Sequence, residues 1–163
     1  MNKRATISDY IESVLKTEIC NRCPLCGLFE GTADTFENHH IDHDNSNSEY
    51  WNLIMICNKC HKIIETNKDD AKRDRKIKQI KMALFRNYIG PAALEVLLLA
   101  NKHGTTSSLP SLANSLIRFG LVEIAKENVF TAGTAKHYTL SDYKITPKGK
   151  ELIDKFSLSY LLP

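Results

Sequence analysis

The spacing of hydrophobic residues changes within the first 60 positions of the chain. At the start, apolar residues recur every three or four positions, through Ile7, Tyr10, Ile11, Val14 and Leu15. This spacing predicts an amphipathic helix over 7–19, with Ser8 or Thr6 placed to cap its first turn. Between Cys20 and Cys60, turn-forming residues are frequent and apolar residues form only short runs, which favours small strands and loops. That segment has too few apolar residues for an independent core.

A helix dense in Lys and Arg is predicted over 68–86, with an apolar stripe along one side through Ile77, Ile80, Leu84 and Tyr88. Gly90 and Pro91 are expected to end this helix. One interpretation is a solvated linker helix, and the other is a helix that lies along the phosphate backbone of a nucleic acid. The two interpretations are compatible.

A second domain is predicted from Pro91 onward, where the composition becomes more apolar. Its expected elements, in order, are a buried helix over 92–100, a loop over 103–108, a helix over 109–119, strands over 121–125 and 138–145, and a helix over 147–156. We therefore expect an α+β protein built from two parts.

Composition and charge add little to this division. Hydrophobic residues make up 42% and charged residues 25% of the 163 positions, as in a soluble globular chain, and the net charge of +3 gives only weak support for a polyanionic partner. No uninterrupted apolar run reaches the roughly 18 residues that span a bilayer, and the N-terminus lacks the apolar segment of a signal peptide. We expect a cytoplasmic protein with no membrane partner.

Five cysteines lie between positions 20 and 60 and none follows, a clustering that favours metal binding over disulfide pairing. Two Cys-x-x-Cys pairs, Cys23 with Cys26 and Cys57 with Cys60, predict one tetrahedral site. Four thiolates leave no open position, so the expected zinc ion is structural. Cys20 has the same spacing to Cys23 and could compete. We favour Cys26 because the neighbouring Pro and Gly suit a tight turn, and we expect Cys20 to pack as a small hydrophobe.

Histidines are concentrated between and just after the cysteine pairs. His39 and His40 precede a loop, Asn52 precedes an apolar run, and His61 directly follows the last cysteine. In this order, residues 20–66 resemble the HNH family of metal-dependent nucleases, in which such residues form a zinc-stabilised ββα-metal finger. The resemblance covers between a quarter and a third of the chain, and it is specific because two signatures interleave.

The resemblance implies a role for each of these residues. His40 matches the general base that activates water, and the amide of Asn52 matches the residue that fixes the loop and thereby orients the base. His39 and His61 match the ligands of one catalytic divalent cation, for which Mg²⁺, Mn²⁺ and Ni²⁺ are candidates. His39 and His40 can reach one site only if their strand bends or ends there.

Other polar residues near this motif have weaker interpretations. Glu37 is expected to contact a metal-binding histidine and to hold its ring in position. Asp42 and His43 are interpreted as solvated loop residues, although either could position metal or substrate. Trp51 is expected to be a core residue, with base stacking as the alternative.

The C-terminal half resembles a winged-helix domain, because 115–122 ahead of 143–152 is similar to segments of many bacterial regulators. The helix over 109–119 would then enter the major groove of DNA. The usual second helix is compressed into 104–109, so the domain could instead mediate dimerisation or read a modified base. Candidate DNA contacts on the basic helix and in this domain are Lys72, Arg73, Arg75, Lys76, Arg118, Lys136 and Lys144.

Together these observations predict an HNH nuclease domain over 1–67, a basic linker helix over 68–90 and a winged-helix domain over 91–163. The expected function is hydrolysis of phosphodiester bonds in double-stranded DNA by a single-metal mechanism. The expected setting is a restriction-type enzyme of bacterial, archaeal or phage origin, with methylation dependence left open. A homodimer would allow both strands to be cut. The alternative is a non-catalytic zinc and winged-helix regulator that binds DNA.

Overall fold

The computed structural model describes residues 6–31, 35–67, 70–132 and 136–158, and the side chains at 131, 132 and 136–138 lie outside the description. Its mixed helix and strand content confirms the α+β class. The chain divides into two compact units, Met1–Phe85 and Arg86–Pro163. The elements are α1 (Asp9–Ile19), β1 (Phe36–His40), a 3₁₀ turn (Tyr50–Asn52), β2 (Leu53–Cys57), α2 (Asn58–Thr66), α3 (Ala71–His103), β3 (Thr105–Ser108), α4 (Pro110–Arg118), β4 (Val122–Ala132), β5 (Lys136–Ile145) and α5 (Pro147–Lys155).

The first unit is built around an antiparallel hairpin followed directly by a helix. β1 pairs with β2 from Phe36 opposite Cys57 to His40 opposite Leu53. All five residues of β2 are buried, and α2 begins without any intervening loop. A small core lies beneath this ββα arrangement and includes Ile54, Ile56 and Ile64. The short apolar runs in the sequence therefore form a buried strand and one face of a helix, and these two surfaces pack against each other.

Helix α1 begins two residues later than its apolar spacing suggests. Ser8 is the capping residue, and its hydroxyl accepts a hydrogen bond from the backbone N–H of Ile11 at 3.3 Å. Val14, Leu15 and Ile19 form its buried face. The predicted amphipathic helix and one of its two candidate caps are confirmed.

The part of the basic helix that ends at Phe85 belongs to the first unit and is not a free linker. Ile77 is 1% exposed and belongs to the core beneath the hairpin, while Ile80 and Leu84 pack against the same core. The apolar stripe that we noted on this helix explains the difference, because a solvated linker would leave it in water. Helical geometry is interrupted once within α3, at Gly90 with φ 78° and ψ 163°, where the sequence predicts an end.

By length and composition alone, α3 also contains an 18-residue window that could cross a membrane, with a mean hydropathy of 1.3. One such helix is weak evidence, because the core helices of soluble proteins meet the same criterion and 39% of this window is buried within the protein. The absence of a membrane partner stays a prediction.

The second unit holds a three-stranded antiparallel sheet in the order β3-β5-β4. The segment interpreted as a compressed helix, 104–109, instead contains strand β3, which pairs with β5 from Thr105 opposite Lys144. That prediction was wrong because the short polar sequence Thr-Thr-Ser-Ser has no alternation to mark a strand. β4 and β5 are also longer than predicted, and a bulge lies between Ile124 and Lys126. Helices α4 and α5 lie where the sequence places them.

A buried ion pair joins α1 to α3 within the first unit. Lys81 Nζ lies 2.6 Å from Glu18 Oε1, and both side chains are fully buried. The Tyr50 hydroxyl donates to the other carboxylate oxygen of Glu18, and Lys81 Nζ lies 3.5 Å above the Tyr50 ring. Burial lowers the pKa of Lys81 to about 8 and raises the pKa of Glu18, because desolvation outweighs the attraction between the two charges.

We expect Lys81→Met to lower the free energy of unfolding by about 3–5 kcal/mol, because it leaves the Glu18 carboxylate buried without its cation. The double variant Glu18→Gln/Lys81→Met should recover most of that difference, since no unpaired charge remains. Urea unfolding followed through Trp51, the single tryptophan, measures both. Lys78→Met, an exposed position on the same helix, is the matched control, and equal stabilities of the two Lys→Met variants would contradict this account.

Candidate metal centres and the histidine cleft

Two turns bring four cysteines into one cluster. The Sγ atoms of Cys23, Cys26, Cys57 and Cys60 all lie within 4.8 Å of one another, and those of Cys26 and Cys57 are 3.6 Å apart. The first pair lies in a tight turn closed by the hydrogen bond from Gly27 N to Cys23 O at 2.7 Å. The second pair spans the junction between β2 and α2. The predicted cluster is confirmed, and it could bind a structural zinc ion.

The surroundings of the cluster favour a thiolate at one position. Although burial opposes it, hydrogen bonds from the backbone of Cys57, Leu25 and Cys26 lower the pKa of Cys23 to about 7. Burial and the neighbouring thiols raise the pKa of Cys60, since further negative charge beside the first is unfavourable. A divalent cation among the four sulfurs would remove that repulsion, so this donor set fits zinc.

Cys20 lies outside the cluster. It follows α1 in the left-handed conformation, with φ 49°, and its thiol donates to the carbonyl of Thr17 at 3.5 Å. The choice of Cys26 over Cys20 as a cluster member is confirmed. The expectation that Cys20 packs as a buried hydrophobe was wrong, because the left-handed residue turns the chain out of the helix and leaves the side chain exposed.

A polar cleft of about 570 Å³ opens beside the hairpin and collects most of the histidines. Its walls come from β1, the loop after β1 and α2. The residues that line it are Phe36, Glu37, Asn38, His39, His40, His43, Asn45, His61 and Glu65. β1 ends at His40, which satisfies the condition that His39 and His40 can reach one site only where their strand ends.

Three of these side chains could hold a metal ion together. The ligand atoms of His39, His61 and Glu65 all lie within 4.8 Å of one another. The rings of His39 and His61 are 5.4 Å apart between centroids, and His39 Nδ1 lies 3.9 Å from Glu65 Oε1. Glu37 Oε2 lies 3.1 Å from His61 Nδ1, the supporting position that the sequence predicts for it.

His39 is held in its neutral form. Burial first, and the nearby imidazoles of His61 and His43 second, lower the pKa of His39 to about 4. Its side chain is only 2% exposed, and its Nε2 has no hydrogen-bond partner among the described residues. A neutral imidazole keeps a lone pair, which is the form that binds a cation.

Asn52 ties down the loop that follows His40. Its amide nitrogen donates to Asp42 Oδ1 at 2.7 Å and to Asn47 O at 2.8 Å, while its amide oxygen accepts from Asp42 N at 3.1 Å. Its backbone carbonyl accepts from Ile41 N at 2.8 Å. Asp42 is therefore hydrogen-bonded to the loop and is not the freely solvated residue we expected, because Asn52 and Asn47 both reach its carboxylate.

Trp51, just before Asn52, is 6% exposed and is a core residue, as expected. Glu65 was not among the predicted site residues. The available signal was its position four residues after His61 on a helix, which places both side chains on one face.

The candidate DNA contacts are divided between the two units. Four of them lie on the first turns of α3 and line one surface cavity: Lys72, Arg73, Arg75 and Lys76. Arg118 at the end of α4 and Lys144 on β5 are exposed in the second unit. The side chain of Lys136 lies outside the described residues.

Comparison with protein-family models, with curated proteins and with solved structures gave no match for this chain. The resemblance to HNH nucleases therefore rests on the order of the residues in the sequence. A cysteine cluster alone does not distinguish that family.

We expect the purified protein to contain about one zinc ion per chain through the four-cysteine cluster. Cys57→Ser should lose the ion and lower the cooperativity of unfolding monitored by Trp51 fluorescence, because a core this small depends on the metal. Metal analysis and thermal unfolding measure both. The matched control is Cys20→Ser, and loss of zinc in the control but not in Cys57→Ser would refute the assignment.

Proposed function

We propose that this protein is a metal-dependent endonuclease that hydrolyses phosphodiester bonds in double-stranded DNA. The β1–β2–α2 finger is the catalytic part, of the HNH type. The observation that carries the proposal is the group of His39, His61 and Glu65 within 4.8 Å of one another, in the cleft that also contains His40. A zinc site alone needs only the cysteines, so these clustered side chains require another explanation.

The donor set of the cleft fits a divalent cation. His39 and His61 supply imidazole nitrogens and Glu65 a carboxylate oxygen, a mixture that suits Mn²⁺ or Ni²⁺ and also accepts Mg²⁺. When bound there, such a cation supplies charge neutralisation at a scissile phosphate. Glu37 holds the His61 ring by its Nδ1, which leaves Nε2 as the ligand atom.

His40 is the proposed general base. It is the last residue of β1, next to the ligand His39, and it lines the same cleft. An imidazole accepts a proton from water near neutral pH, which a carboxylate does only after a large pKa shift. Asn52 is the proposed positioning residue, because its hydrogen bonds to Asp42 and Asn47 hold the loop that leaves His40.

The second unit is the proposed DNA-binding part, of the winged-helix type. Along the chain, the β4–β5 hairpin follows α4, as in a helix followed by a wing. Arg118 on α4 and Lys144 on β5 are positively charged and accessible to solvent. Strand β3 takes the place of the second helix, so α4 is the helix proposed to contact the groove.

The alternative is a zinc-containing regulator that binds DNA without cutting it. That alternative accounts for the cysteines and for the basic turns of α3, but it leaves His39, His61 and Glu65 without a role. A restriction-type enzyme that acts as a homodimer extends the proposal, because one such cleft has the chemistry to cut one strand.

Purified protein should cut plasmid DNA when Mn²⁺, Ni²⁺ or Mg²⁺ is added, and His40→Ala should slow cleavage by at least about 100-fold, the usual contribution of a general base. Rates on methylated and unmethylated plasmids are compared by gel analysis of nicked and linear products. His103→Ala, an exposed histidine of the second unit, is the control. If none of the proteins cut any plasmid but all still bound DNA, the nuclease proposal would be wrong and the regulator would be the better interpretation.

The basic turns of α3 should contribute to DNA affinity by neutralising phosphates. We expect Lys72→Ala/Arg75→Ala/Lys76→Ala to weaken binding and to reduce the slope of log K against log salt by about 0.9 for each phosphate that the variant no longer neutralises. Fluorescence anisotropy with a duplex at several salt concentrations measures this slope. The charge-matched control is Lys16→Ala/Lys150→Ala/Lys155→Ala, all exposed positions, and an identical slope change in both triple variants would show only a net-charge effect.

A further inference from the structure

His43 lies in the cleft in a conformation that is unfavourable for most residues. Its φ of 61° lies in the left-handed region, which is unfavourable for a residue with a Cβ atom. Its side chain lines the cleft, and its ring centroid lies 5.4 Å from that of His39. Although 24% of the side chain is exposed, both ring nitrogens are buried and neither has a hydrogen-bond partner among the described residues. A solvated loop histidine would instead direct its nitrogens to water.

Asp74 faces this histidine from α3. Asp74 Oδ2 lies 3.6 Å from His43 Nε2, and Asp74 Oδ1 lies 3.8 Å from a guanidinium nitrogen of Arg73. A carboxylate beside Nε2 favours the tautomer with hydrogen on Nε2, which leaves a lone pair on Nδ1. Two side chains that are distant in sequence thus hold an imidazole at the wall of the cleft in the tautomer that could bind a cation through Nδ1.

The ring separations fit two histidines on one ion. An imidazole nitrogen lies about 2.0–2.1 Å from a bound transition metal, so two rings on one ion have centroids about 5 Å apart. The His39–His43 separation of 5.4 Å equals the His39–His61 separation. The nitrogens of His43 fall outside the group formed by His39, His61 and Glu65, so ligation requires a movement that brings Nδ1 nearer to them while Nε2 stays beside Asp74.

We propose that His43, oriented by Asp74, is a further ligand of the divalent cation held by His39, His61 and Glu65. This inference rests on the proposed function, since it concerns the same cation. Three imidazoles and one carboxylate favour Mn²⁺, Co²⁺, Ni²⁺ or Zn²⁺ over Mg²⁺, which binds oxygen ligands and keeps its water. Asp74 acts through His43 and is a positioning residue.

The test is a titration of the zinc-loaded, full-length protein with Co²⁺, followed by isothermal calorimetry and by the visible absorption of the ion. His43→Asn is the main variant, because Asn tolerates the left-handed conformation that other residues resist. Asp74→Asn removes the charge that orients the ring, and His103→Ala is the control. Zinc content and Trp51 fluorescence verify that each variant is folded.

We expect one Co²⁺ site in the wild type, with affinity lowered about tenfold or more by His43→Asn and by Asp74→Asn, as for other residues that support metal-bound histidines. The visible band should change shape in His43→Asn, since the ligand set changes. His103→Ala should match the wild type.

The failures of the two proposals are distinguishable. A wild type that binds no Co²⁺ beyond the cysteine cluster would overturn the proposed function and this inference together. Equal Co²⁺ affinity and an equal spectrum in the wild type and His43→Asn would overturn this inference alone. If His43→Asn slowed DNA cleavage without altering Co²⁺ binding, His43 would act on the DNA, and its assignment as a ligand would be wrong.

Discussion

The clustering of four thiols within 4.8 Å is the constraint on which the first unit depends. Cys23 and Cys57 are members of the small core beneath the hairpin, so the cluster replaces apolar contacts that this short segment cannot supply. β2 runs into α2 at Cys57, and the next cysteine stands directly before His61. The turn that completes the cluster therefore also sets the position of a histidine in the cleft.

Polar interactions then arrange the rest of the cleft around this frame. Asn52 holds the loop between the strands through three side-chain hydrogen bonds, and the carboxylates of Glu37 and Asp74 each face a histidine ring. Farther from the cleft, Glu18 and Lys81 pair in a place where water does not reach. A pair buried in this way adds little stability over apolar residues, but loss of one partner leaves an unpaired buried charge between α1 and α3.

Features with a local sequence signal were mostly predictable, and pairings without one were not. The spacing of the cysteines and the order of β1, β2 and α2 were readable because each signal is local. The pairing of His43 with Asp74 and of Glu18 with Lys81 depends on how α3 packs, which no local pattern encodes. Glu65 was overlooked although its spacing from His61 was visible. β4 was predicted too short because its middle, from Lys126 to Asn128, is polar on both faces.

Helix α2 joins two donor sets of different chemistry within one turn, because Cys60 and His61 are consecutive. Thiolates hold zinc in a closed shell, whereas a set of imidazoles and a carboxylate that opens to solvent exchanges its ion readily. With both sets occupied, a brief exposure to chelator would strip only the exchangeable ion and would be reversed by adding it back. A long exposure would also remove the zinc, which dissociates slowly, and the first unit would then unfold. If ions occupy both donor sets, metal depletion would therefore act on this protein at two rates, first emptying the cleft reversibly and later unfolding the unit that contains it.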